Sequence, residues 1–408
     1  MRSAIFDAMA GYRELPKIAG LPQLILAIFA RIPAAMVPLG AMVAFTESTG
    51  SIATGGLATG FVSIATAIFS PLIGRWVDHY GQRRVLSLVA PVNAIALVAL
   101  YLAACIRLDG PLLFAICAVT GASMIPIGSF TRARWSTIAN NPRDLGTAFS
   151  YESTVDELVF VLGPAFVGVA SAAAMSAAPL AVAAGLVILA TVPFALTSPK
   201  QVHPTASIEI TPPVPKEQPS IRTTLLKVSP ALIIMASIGM FFGSSQAGIT
   251  ERATELGNPD AAGLVYALMG VGSAAMALLA VAIPESVGLQ LRVILGGAGM
   301  VIFTFLTVLQ GNLVLTGVML LITGLFLGPT LVTAFTAAER LAPRGGMSVA
   351  MTSLQAAMTV GVSIGSAIGG ALAQAHGANA AYWYATAVPV VILLMGFVLA
   401  RRHRTQQH

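Results

Sequence analysis

"SPKQVHPTASIEITPPVPKEQPSIRTT", residues Ser198–Thr224, is the longest polar interval in a chain of 408 residues. Its prolines at 199, 204, 212, 213, 215 and 219 remove backbone donors and fix dihedrals, so it cannot form a packed helix and reads as a linker. The flanks are different: the chain is 56% hydrophobic and 9% charged, and its mean hydropathy of +0.85 marks a membrane protein. A helix crossing the hydrocarbon core needs about 20 apolar residues, because no water is present there to satisfy its backbone. Such stretches run 20–46, 53–77, 83–105, 111–138, 146–172, 176–198, 229–253, 259–283, 289–309, 313–339, 346–374 and 379–400. The linker divides them six and six. The expectation is an all-α membrane protein with a first half at 1–198, a linker at 199–228 and a second half at 229–408.

Ahead of the first span, "MRSAIFDAMAGYRELPK" (1–17) has no continuous apolar run, so no cleavable signal peptide is expected. Ile5, Phe6, Met9 and Tyr12 recur at helical spacing and read as an interfacial amphipathic helix leading into the bundle. Of the 22 basic residues, 19 fall on one side if the N-terminus is cytoplasmic, against Arg107 and Arg252 outside and Arg31 within span 1. That asymmetry places both termini in the cytoplasm, in a cell (plasma or inner) membrane. The net charge of +6 is then mostly a topology signal, and no nucleic-acid partner is implied. Cys105 and Cys117 are too isolated for a metal site or structural disulfide and read as packing residues.

The halves echo each other. Thr46-Glu47 and Thr250-Glu251 end spans 1 and 7, "NPRDLGTAF" and "APRGGMSVA" precede spans 5 and 11, and "VFVLGPAFVG" (159–168) matches "GVSIGSAIGG" (361–370). Three matches at nearly one offset indicate a duplicated six-helix unit, the architecture of transporters that alternate access around a central site.

Between spans 2 and 3 lies "GRWVDHYGQRR" (74–84). Gly74, Asp78, Gly81, Arg83 and Arg84 resemble the signature loop of the major facilitator superfamily, with His79 and Gln82 as departures. The resemblance implies a monomeric secondary transporter in which this loop latches the halves together, with Asp78 reaching a helix terminus or an arginine. Gly163, Pro164 and Gly168 in span 5 resemble part of the glycine pattern of the drug/proton antiporters of that superfamily. Span 11 has the fuller spacing: Gly361, Gly365, Gly369 and Gly370. Glycines four apart share a helix face and admit a second helix at close range.

Ionisable groups inside spans are costly, at about 2.5–3.5 kcal/mol each at the bilayer centre, so they mark mechanism. Span 5 carries Glu152, Asp156 and Glu157. At 1.5 Å per residue Asp156 lies about 15 Å deep, level with Arg31 of span 1. Arg31 is expected to pair with Asp156 or Glu157, or else to snorkel to the interface. Arg132 near the end of span 4 is expected to pair with Glu152 and to help hold the inner side of the first half, with Asp78 joining and Arg134 beside it in the latch, unless both arginines serve topology alone. The positions of span 11 matching Asp156 and Glu157 are Met358 and Thr359, so proton coupling is assigned to the first half. Apolar substrate contact falls to Met240, Phe241, Phe242 and Gln246 of span 7, while Glu47 and Glu251 are candidate outer-gate groups.

The expected function is proton-coupled export of small amphiphilic molecules or drugs, with a proton gradient as energy source, no cofactor and no metal. Two other readings stay open: uptake of an anionic metabolite bound by Arg31, and a lipid flippase in which membrane lipids are the partner. No nucleotide loop, Cys/His cluster or supported Ser/His/Asp set points to an enzyme.

Overall fold

Asn141 and Asn312 accept hydrogen bonds from the amides of Asp144 and Leu315, 2.9 and 2.8 Å away, and so start the helices that follow them. Ser51 and Ser220 do the same for Thr54 and Thr223. Gly81, at φ 88°, is the single residue between two long helices, a conformation that residues with a Cβ rarely adopt.

These signals delimit the elements in a computed structural model that describes residues 2–198, 219–258, 261–284 and 287–405. Among the described residues twelve helical stretches are long and apolar enough to cross a membrane. They are Leu21–Thr49, Thr54–Tyr80, Gln82–Cys105, Pro111–Ile138, Pro142–Ala173 and Ala178–Thr197 in the first half, then Ile221–Glu255, Ala262–Ala282, Leu289–Val308, Leu313–Leu341, Met347–His376 and Ala378–Arg401 in the second. They are spans 1 to 12. No strand occurs among the described residues. The stretch 199–218 of the linker lies outside them, but the helix of span 7 already begins at Ile221, inside the region read as linker, because Ser220 caps it.

Span 4 departs from its reading as one continuous helix. It is built from Pro111–Ala122 and Ile127–Ile138, with a non-helical break at Pro126, which has no amide to donate. Exposed backbone within a membrane must be satisfied. Asn93 of span 3 does this, its amide donating to the Thr120 carbonyl and to the Ser123 hydroxyl, both at 3.1 Å.

The glycines act unequally. A Cβ on Gly361 or Gly365 would lie 2.2 or 2.1 Å from backbone carbonyls of Ala236 and Met240, and one on Gly239 would lie 2.1 Å from Met358 O. Gly369 likewise rests on Ser244, so spans 7 and 11 are zipped backbone to backbone. In the first half Gly163 packs on Ala35 of span 1, a Cβ there reaching within 2.6 Å. Pro164 is exposed, and Gly168 and Gly370 face open space, so these three are not packing positions.

The helix Arg2–Ala19 precedes span 1 and turns into it at Gly20, φ 85°. It packs on protein as well as lying beside the bundle. Leu15 is buried, Gly11 rests on Thr147 of span 5, and the Tyr12 hydroxyl donates to Leu278 O of span 8. The side chains of Ile5, Phe6 and Met9 lie outside the described residues.

Joints between the halves gather on the face where the linker attaches, here the linker face. Asp78 meets span 11, the Ser129 hydroxyl donates to Met351 O at 3.0 Å, and Thr154 donates to Ala274 O at 3.4 Å. The rings of Phe160 of span 5 and Phe242 of span 7 meet at a tilt of 39°, 5.2 Å between centres, about midway along the spans. Beyond that level no hydrogen bond joins the halves among the described residues.

Candidate functional site

The ionisable side chains of spans 1, 4 and 5 come together in the first half. Arg31 donates through Nη2 to Glu152 Oε2 and, at 2.7 Å, to the Thr131 hydroxyl, while its Nε lies 3.2 Å from Asp156 Oδ1. Asp156 Oδ2 lies 2.7 Å from Nη1 of Arg132, whose other Nη donates to Ser153 at 3.3 Å. Glu152 also accepts from Trp135 Nε1 at 2.8 Å and from Thr131. Two guanidinium groups and two carboxylates thus form a neutral quartet, which is how buried charge becomes tolerable. Gly128 makes room for it: a Cβ there would fall 2.8 Å from Asp156 Oδ1, in the first turn of the second segment of span 4. The break in span 4 therefore places the positive end of a half-helix beside a carboxylate.

One expectation holds with an addition, and two change. Arg31 meets Asp156 as anticipated, yet its second partner is Glu152 and Glu157 is not among them. Arg132, expected on Glu152, holds Asp156, because Glu152 points toward Trp135 and Arg31 one turn away. Arg134 donates to Ala19 O at 3.4 Å, tying span 4 to the N-terminal helix and not to the other half. Arg31, Arg132 and Glu152 are almost fully buried, while Asp156 keeps 33% of its side chain accessible. Asp156 is the only member of the quartet that a solute can reach.

Glu157 is different. It is buried on the face of span 5 that packs against span 8, beside Ser273 and Tyr266. Its Oε2 has no hydrogen-bond partner, and no cation pairs with it among the described residues.

The loop between spans 2 and 3 reaches the other half. Asp78 accepts from the amides of Ser348 and Val349 at 2.9 and 3.0 Å. These are the first donors of span 11, whose preceding residue, Gly346, offers no side-chain cap. The cap thus comes from the opposite half. Gly74 lets the two spans close, since a Cβ there would lie 2.4 Å from Thr352 Oγ1 and 2.9 Å from Ser348 O. Gly81 makes the turn, Arg83 is half-buried and Arg84 is exposed. Arg132 reaches across elsewhere, its guanidinium 3.6 Å above the ring centre of Phe335 in span 10.

The sequence pattern of the Major Facilitator Superfamily matches residues 24–250 and 246–408. The chain belongs to that superfamily. As a superfamily member it is a multi-pass membrane transporter of small molecules and not an enzyme. Similar solved structures include a bacterial homologue of the iron transporter ferroportin in an outward-facing state, at 16% identity and TM-score 0.70 over 93% of this chain and 98% of that one. The human organic anion transporter MFSD10 (TETRAN) is similar at 14% identity and TM-score 0.69 over 94% and 99%. The superfamily transporter FucP in the outward conformation follows at 12% and 0.68 over 93% and 98%. At such identities the likeness concerns the fold. No curated protein sequence matches the chain.

The four residues read as substrate contacts divide. Phe241 and Phe242 are fully buried in an apolar cluster that runs across both halves, Phe242 against Phe160 at the seam, and Met240 is half-buried with its backbone against Gly365. Gln246 alone is exposed, and it lines a cavity of about 340 Å³ between spans 7 and 11. Residues missed from sequence are Thr131, Trp135, Ser153, Gly128 and Phe335. Trp135, three residues after Arg132 and so on nearly the same helix face, carried the one readable signal.

Proposed function

We propose that this transporter exports small amphiphilic molecules in exchange for protons, the linker face being the cytoplasmic one. The observation that carries the reading is Glu157, a buried carboxylate without counter-charge at the seam between the halves, next to a quartet whose charges cancel. An isolated carboxylate in a protein interior is tolerated with a proton bound, whereas one reached by water ionises readily. With the seam between spans 5 and 8 closed, Glu157 holds its proton. When the halves part on the linker face, water reaches Glu157 and the proton leaves inward, as cargo enters the cavity from the same side. Asp156, held by two arginines and partly accessible, senses cargo and proton from the cavity side. Asp78, Gly74 and the first turn of span 11 act as the latch of the outward-facing state.

Arg31 is buried and already engaged by two carboxylates, which leaves the anion-uptake reading without a free cation. No observation favours the flippase reading over export. The test is Glu157→Gln in proteoliposomes. Transport driven by a pH gradient is expected to fall at least tenfold, while substrate exchange without a gradient continues; equal loss of both, or of neither, overturns the assignment.

A further inference from the structure

Glycine packing holds spans 7 and 11 together at Gly361, Gly365 and Gly369, and Glu255 at the end of span 7 still accepts from the Ala378 amide just past span 11. A Cβ added to Gly370, one residue after Gly369, meets nothing within 4 Å. Beside this packed seam lies a cavity of about 340 Å³, within the range of small-molecule sites. Gln246, Thr250 and Glu251 line it from span 7, and Ser366, Gly370 and Gln374 from span 11, with alanines completing the wall. Positions 366, 370 and 374 lie one turn apart and so share a helix face.

Glu251 is the only charged residue of that lining, and no cation pairs with it among the described residues. Its neighbour Arg252 is turned away, bonded to Gln310 O and Asn379 Oδ1 and set 5.5 Å from the Tyr382 ring centre. The cavity therefore offers one carboxylate, two side-chain amide carbonyls and two hydroxyls as acceptors, but no ammonium or guanidinium. An anion would meet repulsion from Glu251 without a compensating charge. A protonated amine would find a counter-ion, acceptors for its N–H groups, and a wall of glycine and alanine for its apolar body.

We infer that this cavity binds the cationic head of an amphiphilic organic amine, with Glu251 as its counter-ion and Gln246 and Gln374 as hydrogen-bond acceptors. The inference rests on the export reading for the statement that the ligand is cargo; the binding itself does not need a gradient. It assigns the substrate a charge and gives the second half a polar role that its spans otherwise lack.

The test measures fluorescence anisotropy of rhodamine 6G, a cationic dye, and fluorescein, an anionic one, with the full-length protein in nanodiscs. The wild type is expected to bind rhodamine 6G and to ignore fluorescein. Glu251→Gln should weaken rhodamine binding at least tenfold, and Glu251→Asp should restore most of it. Gly370→Leu, whose Cβ meets no neighbouring atom within 4 Å and whose side chain extends into the cavity, should weaken it as much while the thermal midpoint stays within a few degrees of wild type. Rhodamine affinity within twofold of wild type in both Glu251→Gln and Gly370→Leu overturns the site, as does a wild type that binds neither dye or prefers fluorescein. Glu157→Gln separates the two readings. If it abolishes gradient-driven transport while the Glu251 and Gly370 variants bind normally, export stands and the site falls. If the Glu251 variants lose the dye while Glu157→Gln transports normally, the site stands and proton coupling through Glu157 falls.

Discussion

Gly163 of span 5 and Gly365 of span 11 occupy matching places in the repeat, and each lets its span close on a neighbour, span 1 or span 7. Gly168 and Gly370 match in the same way, and both face open space. The charges do not repeat. At the offsets of the duplication, Arg31, Arg132, Glu152 and Asp156 correspond to Met235, Thr333, Leu354 and Met358. Three of these four, Met235, Thr333 and Leu354, are buried like the residues they match. The same packing solution therefore carries an ionic quartet in one half and apolar core in the other. Helix packing depends on backbone approach, which only small residues permit, so both copies keep it. A buried charge network seldom improves on a well-packed apolar core in stability, and its presence in one half points to a role in switching.

The largest effect that can break this comparison comes from the shared seam. Gly365→Leu drives a side chain into the Met240 carbonyl and is expected to leave no folded protein by size-exclusion in detergent, whereas Gly370→Ala should change stability by less than about 1 kcal/mol. Equal tolerance at both positions would mean that the zipped seam does not hold the second half.

The quartet comes next. Arg31→Met leaves Glu152 and Asp156 without their shared cation and should cost about 3–5 kcal/mol, read from thermal unfolding. Installing the residues of the second half together, R31M/R132T/E152L/D156M, should recover most of that loss and still abolish proton-driven transport. If the quadruple variant remains as unstable as Arg31→Met, the two cores are not interchangeable and the comparison is wrong.

A smaller shift is expected from Asp78→Asn, which removes the charge from the cap on span 11. The closed linker face should lose about 1–2 kcal/mol. In a Cys105→Ser background, a cysteine introduced at Thr352 would then be alkylated roughly tenfold faster, since about 1.4 kcal/mol is tenfold in population. Unchanged alkylation would remove Asp78 from the latch. The smallest effect belongs to Phe335→Leu, which withdraws the ring beneath Arg132 and should shift the same reaction by about 1 kcal/mol or less.

Span number and the residues of the quartet were legible from composition and position, because a bilayer leaves helices few alternatives and makes each buried charge conspicuous. Pairing was not. Depth along a helix placed Arg31 level with both Asp156 and Glu157, but rotation about the axis decides which faces span 1, and about 100° per residue turns adjacent side chains to different neighbours. The break in span 4 was equally hidden, since Pro126 inside an apolar run also suits a kinked helix. The aromatic run at Phe241 and Phe242 could not be told from a cavity lining until its burial was known.

By itself the sequence determined a twelve-span transporter built from two copies of one unit, with the ionisable groups deep in its spans concentrated in the first. Hydrophobic length and loop charge are one-dimensional quantities, and a chain carries them openly. Only the tertiary structure decided that Glu152 shares Arg31 with Asp156, that Glu157 faces span 8 with no cation beside it among the described residues, that Asp78 caps a helix of the other half, and that a cavity opens beside the seam of spans 7 and 11. Each of these depends on which faces of different helices meet, and that is set by the packing of the whole bundle.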